Sequence, residues 1–76
     1  MTEVRFPMLS ETADAEGTVA TWFAEDGNSV DEGELIAEVA VDKVDAEVTA
    51  PNAGVLEHKA AEGEVVTQNA VIAVIT

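Results

Sequence analysis

The stretch EVAVDKVDAEV, Glu38 to Val48, constrains this chain more than any other. Apolar residues recur at every second position on both sides of a two-residue interruption. Leu35, Ala37, Val39 and Val41 precede it, and Val44, Ala46, Val48 and Ala50 follow it, with Asp45, Glu47 and Thr49 on the other face of the second run. Successive strand side chains point to opposite faces, so each run lines one face with apolar groups. A helix from Leu35 to Ala50 competes, because Ile36, Ala40, Val44 and Val48 recur every four residues. The strict period of two, carried by β-branched valines, favours strand–turn–strand with Asp42-Lys43 as the turn.

The same grammar extends along the chain. Strands are expected near Glu3–Pro7, Thr18–Phe23, Leu35–Val41, Val44–Ala50, Val55–Lys59 and Val71–Ile75, with short extended pieces near Val30 and at Val65–Val66. Between them, EDGN, DEGE, PNAG and AEGE are turn sequences. Twelve valines, three isoleucines and seven threonines support β-structure throughout.

The chain also repeats. Shifting Thr18–Ala40 by 36 residues lays Val19 on Val55, Ala24 on Ala60, Gly27 on Gly63, Val30 on Val66, Ile36 on Ile72 and Ala37 on Ala73. Composition alone gives roughly two or three such matches. EVRFP at Glu3 echoes EVTAP at Glu47, but only the first is followed by the extra segment MLSETADAE, residues 8–16. Two similar half-units joined through Lys43 predict one all-β domain over residues 1–76. Its form is a flattened β-sandwich or barrel of two antiparallel sheets with pseudo-two-fold symmetry, and the lysine sits at a hairpin tip. Under that symmetry the counterpart of the Lys43 junction is the pair of chain ends. Glu3 and Ile75 are therefore expected side by side, on the opposite sheet and at the far end from Lys43.

Sixteen acids against Arg5, Lys43 and Lys59 give a formal charge of −13. Such a surface repels nucleic acid and anionic membranes. It reads as a solvated acidic coat, which a salt-rich cytoplasm would favour, or as steering toward a basic partner. No apolar run approaches the ~18–20 residues of a bilayer span. MTEVRFPMLS lacks the pattern of a signal peptide, so a cytoplasmic location is the expectation.

Catalysis by the chain itself finds little support. His58 is the single histidine, between Glu57 and Lys59, and reads as an inert surface residue. Ser10 and Ser29 have no base in a recognisable relationship. DGNSVDEGE from Asp26 starts like a calcium loop but has Val30 at a ligand position and Asp31 in place of the required glycine, so no metal is assigned. Lys43 stands apart. A short turn between regular strands projects its amine from a rigid tip, as covalent attachment of a cofactor requires. The alternative is a solubilising turn lysine.

VDKVDAEVTAPNAGVL resembles the attachment segment of lipoyl domains, in which the modified lysine occupies an Asp-Lys turn between two strands. Gly27 and Gly54, at −16 and +11 from Lys43, match glycines of that family, and FPMLSETADAEGTVATW is similar to its first strand, exposed loop and second strand. The resemblance implies a non-catalytic carrier domain, excised or free-standing, of a dihydrolipoamide acyltransferase in a 2-oxo acid dehydrogenase complex. It implies lipoic acid in amide linkage on Lys43, with Asp42 and Val44 framing the turn. It implies partners: a lipoate-attaching enzyme, a thiamine-diphosphate-dependent 2-oxo acid dehydrogenase that reductively acylates the arm, an acyltransferase core that passes the acyl group to coenzyme A, and a dihydrolipoyl dehydrogenase. The domain itself is expected to be monomeric. The loop Met8, Leu9, Ser10, Glu11, Thr12, Ala13, Asp14, Ala15, Glu16 is the candidate for recognition by the decarboxylase partner. Biotin carrier domains share the fold, but they typically have Met-Lys-Met at the turn and lack the loop after the first strand. An unmodified β-domain used only for protein contacts is the third reading.

If the acidic coat reflects a salty cytoplasm, its self-repulsion is relieved by screening. The melting temperature should then rise between low and molar salt, and a flat or falling trend would remove that explanation.

Overall fold

The computed structural model describes residues 1–9, 11, 15–41 and 44–76. Eight strands occur in order: β1 (Thr2–Arg5), β2 (Glu16–Trp22), β3 (Ser29–Val30), β4 (Leu35–Val41), β5 (Val44–Thr49), β6 (Gly54–His58), β7 (Val65–Thr67) and β8 (Val71–Ile75). They form two antiparallel four-stranded sheets, ordered β1-β8-β6-β3 and β5-β4-β2-β7. Exchanging β1–β4 with β5–β8 converts one order into the other, which is the pseudo-two-fold of the sequence repeat.

The symmetry reaches individual hydrogen bonds. Phe23 and Ala24 donate to Ile36 O at 2.8 and 3.2 Å, and Lys59 and Ala60 donate to Ile72 O at 2.8 and 3.1 Å. Gly33 donates to Ala50 O and Asn69 to Phe6 O, both at 2.8 Å. Gly33 and Asn69 share a left-handed backbone, φ 83° and 67°, and Gly27 and Gly63 share φ 88° and 83°. Where the two halves meet, Trp22 and His58 are counterparts and stack on each other, with ring centroids 3.9 Å apart and planes 15° apart. Trp22 Nε1–H donates to Ala60 O at 3.0 Å, and His58 Nε2 to Ala24 O at 2.9 Å. The backbone N–H of Trp22 donates to the Glu62 carboxylate, and that of His58 to Asp26, at 3.0 and 2.8 Å. His58 is thus a half-buried ring locked between the halves and not the free surface residue expected.

Bulges correct the sequence pattern in two places. Between Leu35 and Ala37 the β4–β5 register skips Ile36, and between Val4 and Arg5 the β1–β8 register skips Ile72. The extra residue turns inward, so Ile36 and Ile72 are fully buried while Leu35, expected on the core face, is 37% exposed. A third bulge between Val19 and Thr21 shifts the repeat by one. The counterpart of Val19 is therefore Leu56, both of them fully buried, and not the exposed Val55. Phe6, Val19, Val39, Leu56 and Ile75 join the two isoleucines between the sheets.

Thr2 pairs with Ile75 and Glu3 with Val74, so both chain ends lie on the sheet that does not carry the β4–β5 hairpin. From that end β1 runs to Phe6, whose ring lies near Gly17 and Val41, at the hairpin end of the molecule. A Cβ on Gly17 would stand 2.5 Å from Phe6 Cζ and 2.6 Å from Ala40 O, the latter fixed backbone. Gly17→Ala should lower stability by about 2 kcal/mol or more through overpacking. Gly27→Ala, with open space around it but a positive φ, should cost about 1 kcal/mol. Denaturant titration checks both, and equal effects would contradict the packing argument.

Candidate functional site: the β4–β5 hairpin end

The hairpin is built by an uninterrupted ladder: Ala37↔Val48, Glu38↔Glu47, Val39↔Ala46, Ala40↔Asp45 and Val41↔Val44. Burial decreases toward the tip, from Val48 and Val39 in the core, through half-buried Ala46, to Val44 at 50% exposure. Val41 stays buried against Gly17, so the outgoing strand is clamped up to its last residue. Two residues, Asp42 and Lys43, join Val41 to Val44 in the chain, and they lie outside the described residues.

Electrostatics distinguish the two sheets. Arg5 is held by Glu3 at 2.6 Å, and Lys59 by Glu57 at 2.7 Å, all four side chains about half exposed. Lys59 lies just past the end of β6 and is not within a strand, as the sequence suggested. The sheet carrying the hairpin contains no cation among its described residues. It sets Glu38 opposite Glu47 in register, an arrangement that costs stability where unscreened.

The candidate recognition loop borders this end. Leu9 N–H donates to Gln68 Oε1 at 2.6 Å, and Gln68 N–H donates to Ala15 O at 3.1 Å. Leu9 and Ala15 pack against the core, whereas Met8 and Glu11 are exposed. Ser10, Thr12, Ala13 and Asp14 lie outside the described residues. Glu16, placed in the loop by sequence, opens β2 and pairs with Thr67. Gly27 and Gly54 do not touch the hairpin. Gly27 makes a tight turn and donates to Leu56 O at 2.7 Å, and Gly54 lets Ile75 and Thr76 approach where a Cβ would meet them at 2.5 and 2.7 Å. Sequence reasoning missed Gly17 and Gln68. Gly17 follows the loop with no turn signal around it, and a lone glutamine near a turn carries no periodic cue.

Beside the hairpin, Glu16, Gly17, Thr18, Ala40 and Val65 line a shallow open hollow of about 220 Å³. Among the described residues no group of three or more His, Cys, Asp or Glu side chains comes together to hold a metal. Among the described residues the arrangement offers a paired two-stranded post whose strands are joined in the sequence by Asp42-Lys43.

A β-sandwich of duplicated half-units with one lysine at a hairpin end defines a class of covalent carrier domains. Residues 2–75 match the Biotin_lipoyl family, described as "Biotin-requiring enzyme", and the chain belongs to that family. It is 46% identical over 76 residues to the dihydrolipoyllysine-residue succinyltransferase component of the 2-oxoglutarate dehydrogenase complex of Staphylococcus saprophyticus, covering 99% of this chain and 18% of that protein. It is 44% identical over 73 residues to the dihydrolipoyllysine-residue acetyltransferase component of the pyruvate dehydrogenase complex of Corynebacterium glutamicum, covering 95% of this chain and 11% of that protein. The chain therefore spans under a fifth of the length of these curated relatives. The solution structure of the lipoyl domain of the Azotobacter vinelandii 2-oxoglutarate dehydrogenase complex superposes with a TM-score of 0.81 at 35% identity, covering all of this chain and 96% of that one.

Proposed function

We propose that this chain is a lipoyl carrier domain of a 2-oxo acid dehydrogenase acyltransferase, bearing lipoic acid in amide linkage on Lys43. The observation that carries the reading is the β4–β5 register. It closes at Val41↔Val44 and leaves only Asp42 and Lys43 between two fixed strands. Lys59, the other lysine, is tied to Glu57 in a region without such a post. Once attached, the group supplies a dithiolane that accepts an acyl group together with two electrons. The chain's own residues bind and orient. Val41, packed against Gly17, and the ladder behind it hold the attachment point at one end, while β1 and β8 bring the chain ends together at the other. A tether leaving Thr76 would hold the domain from behind, raising the local concentration of carried substrate at successive sites.

The partners that follow are a lipoate-attaching enzyme, a thiamine-diphosphate-dependent 2-oxo acid dehydrogenase, the acyltransferase core and a dihydrolipoyl dehydrogenase. In this reading the domain performs no catalysis itself. Biotin is the second reading, favoured by the description of the family. Against it stand Asp42-Lys43-Val44 in place of Met-Lys-Met and the presence of the loop after β1.

Intact-mass analysis and peptide mapping after exposure to a lipoate-attaching enzyme, and separately to a biotin ligase, test the assignment. One lipoyl group on Lys43 and none on Lys59 is expected. Lys43→Gln should abolish acyl transfer while changing stability by about 0.5 kcal/mol or less, as exposed substitutions do. Biotin alone on Lys43 would replace the lipoyl reading. Modification of Lys59 would refute the presentation argument, and no modification by either enzyme would leave a protein-contact domain.

A further inference from the structure

On the hairpin sheet Ala40, Thr18 and Val65 stand side by side, since Ala40 pairs with Thr18 and Thr18 with Val65. Their chain neighbours Val39, Val41, Gly17 and Val19 are buried on the core side, which leaves these three on the outer face. Ala40 carries only a methyl group and Gly17 no side chain. The surface therefore sinks into the hollow of about 220 Å³, with Glu16 at its rim. Val65, 59% exposed on the edge strand β7, forms an apolar wall. Under the 36-residue repeat Ala40 corresponds to Thr76 and Val65 to Ser29. A small floor beside an apolar wall is thus particular to the hairpin sheet and not a requirement of the repeated fold.

Charge and reach narrow what the hollow can hold. Its rim carries Glu16, Asp45 is paired beside Ala40, and the sheet has no cation among its described residues. Carboxylates without a counter-charge disfavour an anion and leave an uncharged, apolar group as the fitting occupant. Lys43 follows Ala40 by three residues, so covalent geometry alone keeps their Cα atoms within about 11 Å. A lysine side chain extended by a lipoyl chain makes an arm of about 14 Å at ordinary bond lengths, and Thr18 lies one strand spacing of about 5 Å beyond Ala40. The end of such an arm reaches the hollow.

We propose that this hollow is a resting site for the uncharged dithiolane ring carried on Lys43, which lies against Ala40, Thr18 and Val65 between transfers. The inference rests on the carrier reading. A hollow this open holds a free ring only weakly, but a short tether gives an effective concentration in the millimolar range. Intramolecular occupancy is then substantial where free ligand would barely bind. A partner that grips the ring more tightly draws it out, so the site shields the ring without trapping it.

NMR of the unmodified and the lipoylated domain tests the site directly. On lipoylation the Val65 methyl and Thr18 amide signals should shift, and ring protons should show NOEs to the Val65 methyls. Val65 lies about 10 Å from Ala40, across two strand spacings, so modification of Lys43 alone does not move its signals. Val65→Ala should weaken the response at Thr18, and Val65→Asp should reduce it by about twofold or more, as an occupancy near one half is lost. Both substitutions are exposed and should leave the fold intact, and Val65→Ile should keep the response. Free lipoamide added at millimolar concentration to the unmodified domain should shift the same signals, and the lipoate anion should shift them less. Lipoylation that leaves Val65 and Thr18 unchanged overturns the resting site, as does a Thr18 response that survives Val65→Asp. Equal shifts from lipoamide and lipoate overturn the choice of an uncharged occupant. If a lipoate-attaching enzyme does not modify Lys43, the carrier reading fails and takes the resting site with it, an outcome distinct from attachment with a silent hollow.

Discussion

The structure depends on an exchange between its two halves. Trp22 and His58 each reach across to a carbonyl of the other half, Ala60 and Ala24, and stack face to face as they do so. Asp26 and Glu62 accept the backbone N–H groups of His58 and Trp22 in the same reciprocal way. Polar groups left at the ends of β2 and β6 are thereby satisfied where the chain passes from one sheet to the other. A ring pair of this kind contributes about 0.5–1.5 kcal/mol beyond its buried area. That is a useful share for a 76-residue chain with three aromatic residues and no cysteine.

Because the halves close on each other, the β4–β5 junction between the half-units and the pair of termini joined through β1 and β8 are counterparts. The β4–β5 hairpin end and the paired chain ends then occupy opposite places as a consequence of symmetry, without any added feature. Two features depart from that symmetry, the bulge between Val19 and Thr21 and the longer first connection, which leads into Gly17 beside Ala40 and Val41. Charge follows the same division. The two described cations sit in pairs outside the hairpin sheet, and the hairpin sheet presents carboxylates alone among its described residues. A Glu38–Glu47 pairing in register is tolerable where salt screens it or a basic surface covers it.

Legibility in the sequence followed the physics of alternation. The strands either side of Lys43 were readable to within one residue, Val44–Ala50 being expected where β5 ends at Thr49, because period-two valines admit little else, and the repeat foretold both sheets and the meeting of the ends. Bulges were invisible, since a skipped residue changes only which neighbour faces inward. Leu35 was therefore exchanged for Ile36 in the core, and Val55 for Leu56 as the partner of Val19. His58 was misjudged because its partner Trp22 lies 36 positions away and the stack has no local signal. Gln68 and Gly17 act through contacts with the loop and with Phe6 that no short window contains. Lys43 was singled out by uniqueness and turn length, and the chemistry proposed for it came from the family pattern.

The central claim is that two paired strands, joined in the chain by only two residues, present Lys43 for modification. It is tested most directly by inserting two glycines between Val41 and Asp42 and measuring the initial rate of lipoyl attachment by intact mass. The Asp-Lys-Val sequence survives this insertion, but the Val41–Val44 closure does not. A lysine displaced by even ~1 Å from its productive geometry loses up to about a hundredfold in rate. The account predicts attachment slowed by at least about tenfold with the melting temperature nearly unchanged, because loop closure entropy grows slowly with length. Attachment at the wild-type rate would show that local sequence alone is recognised, and would contradict it.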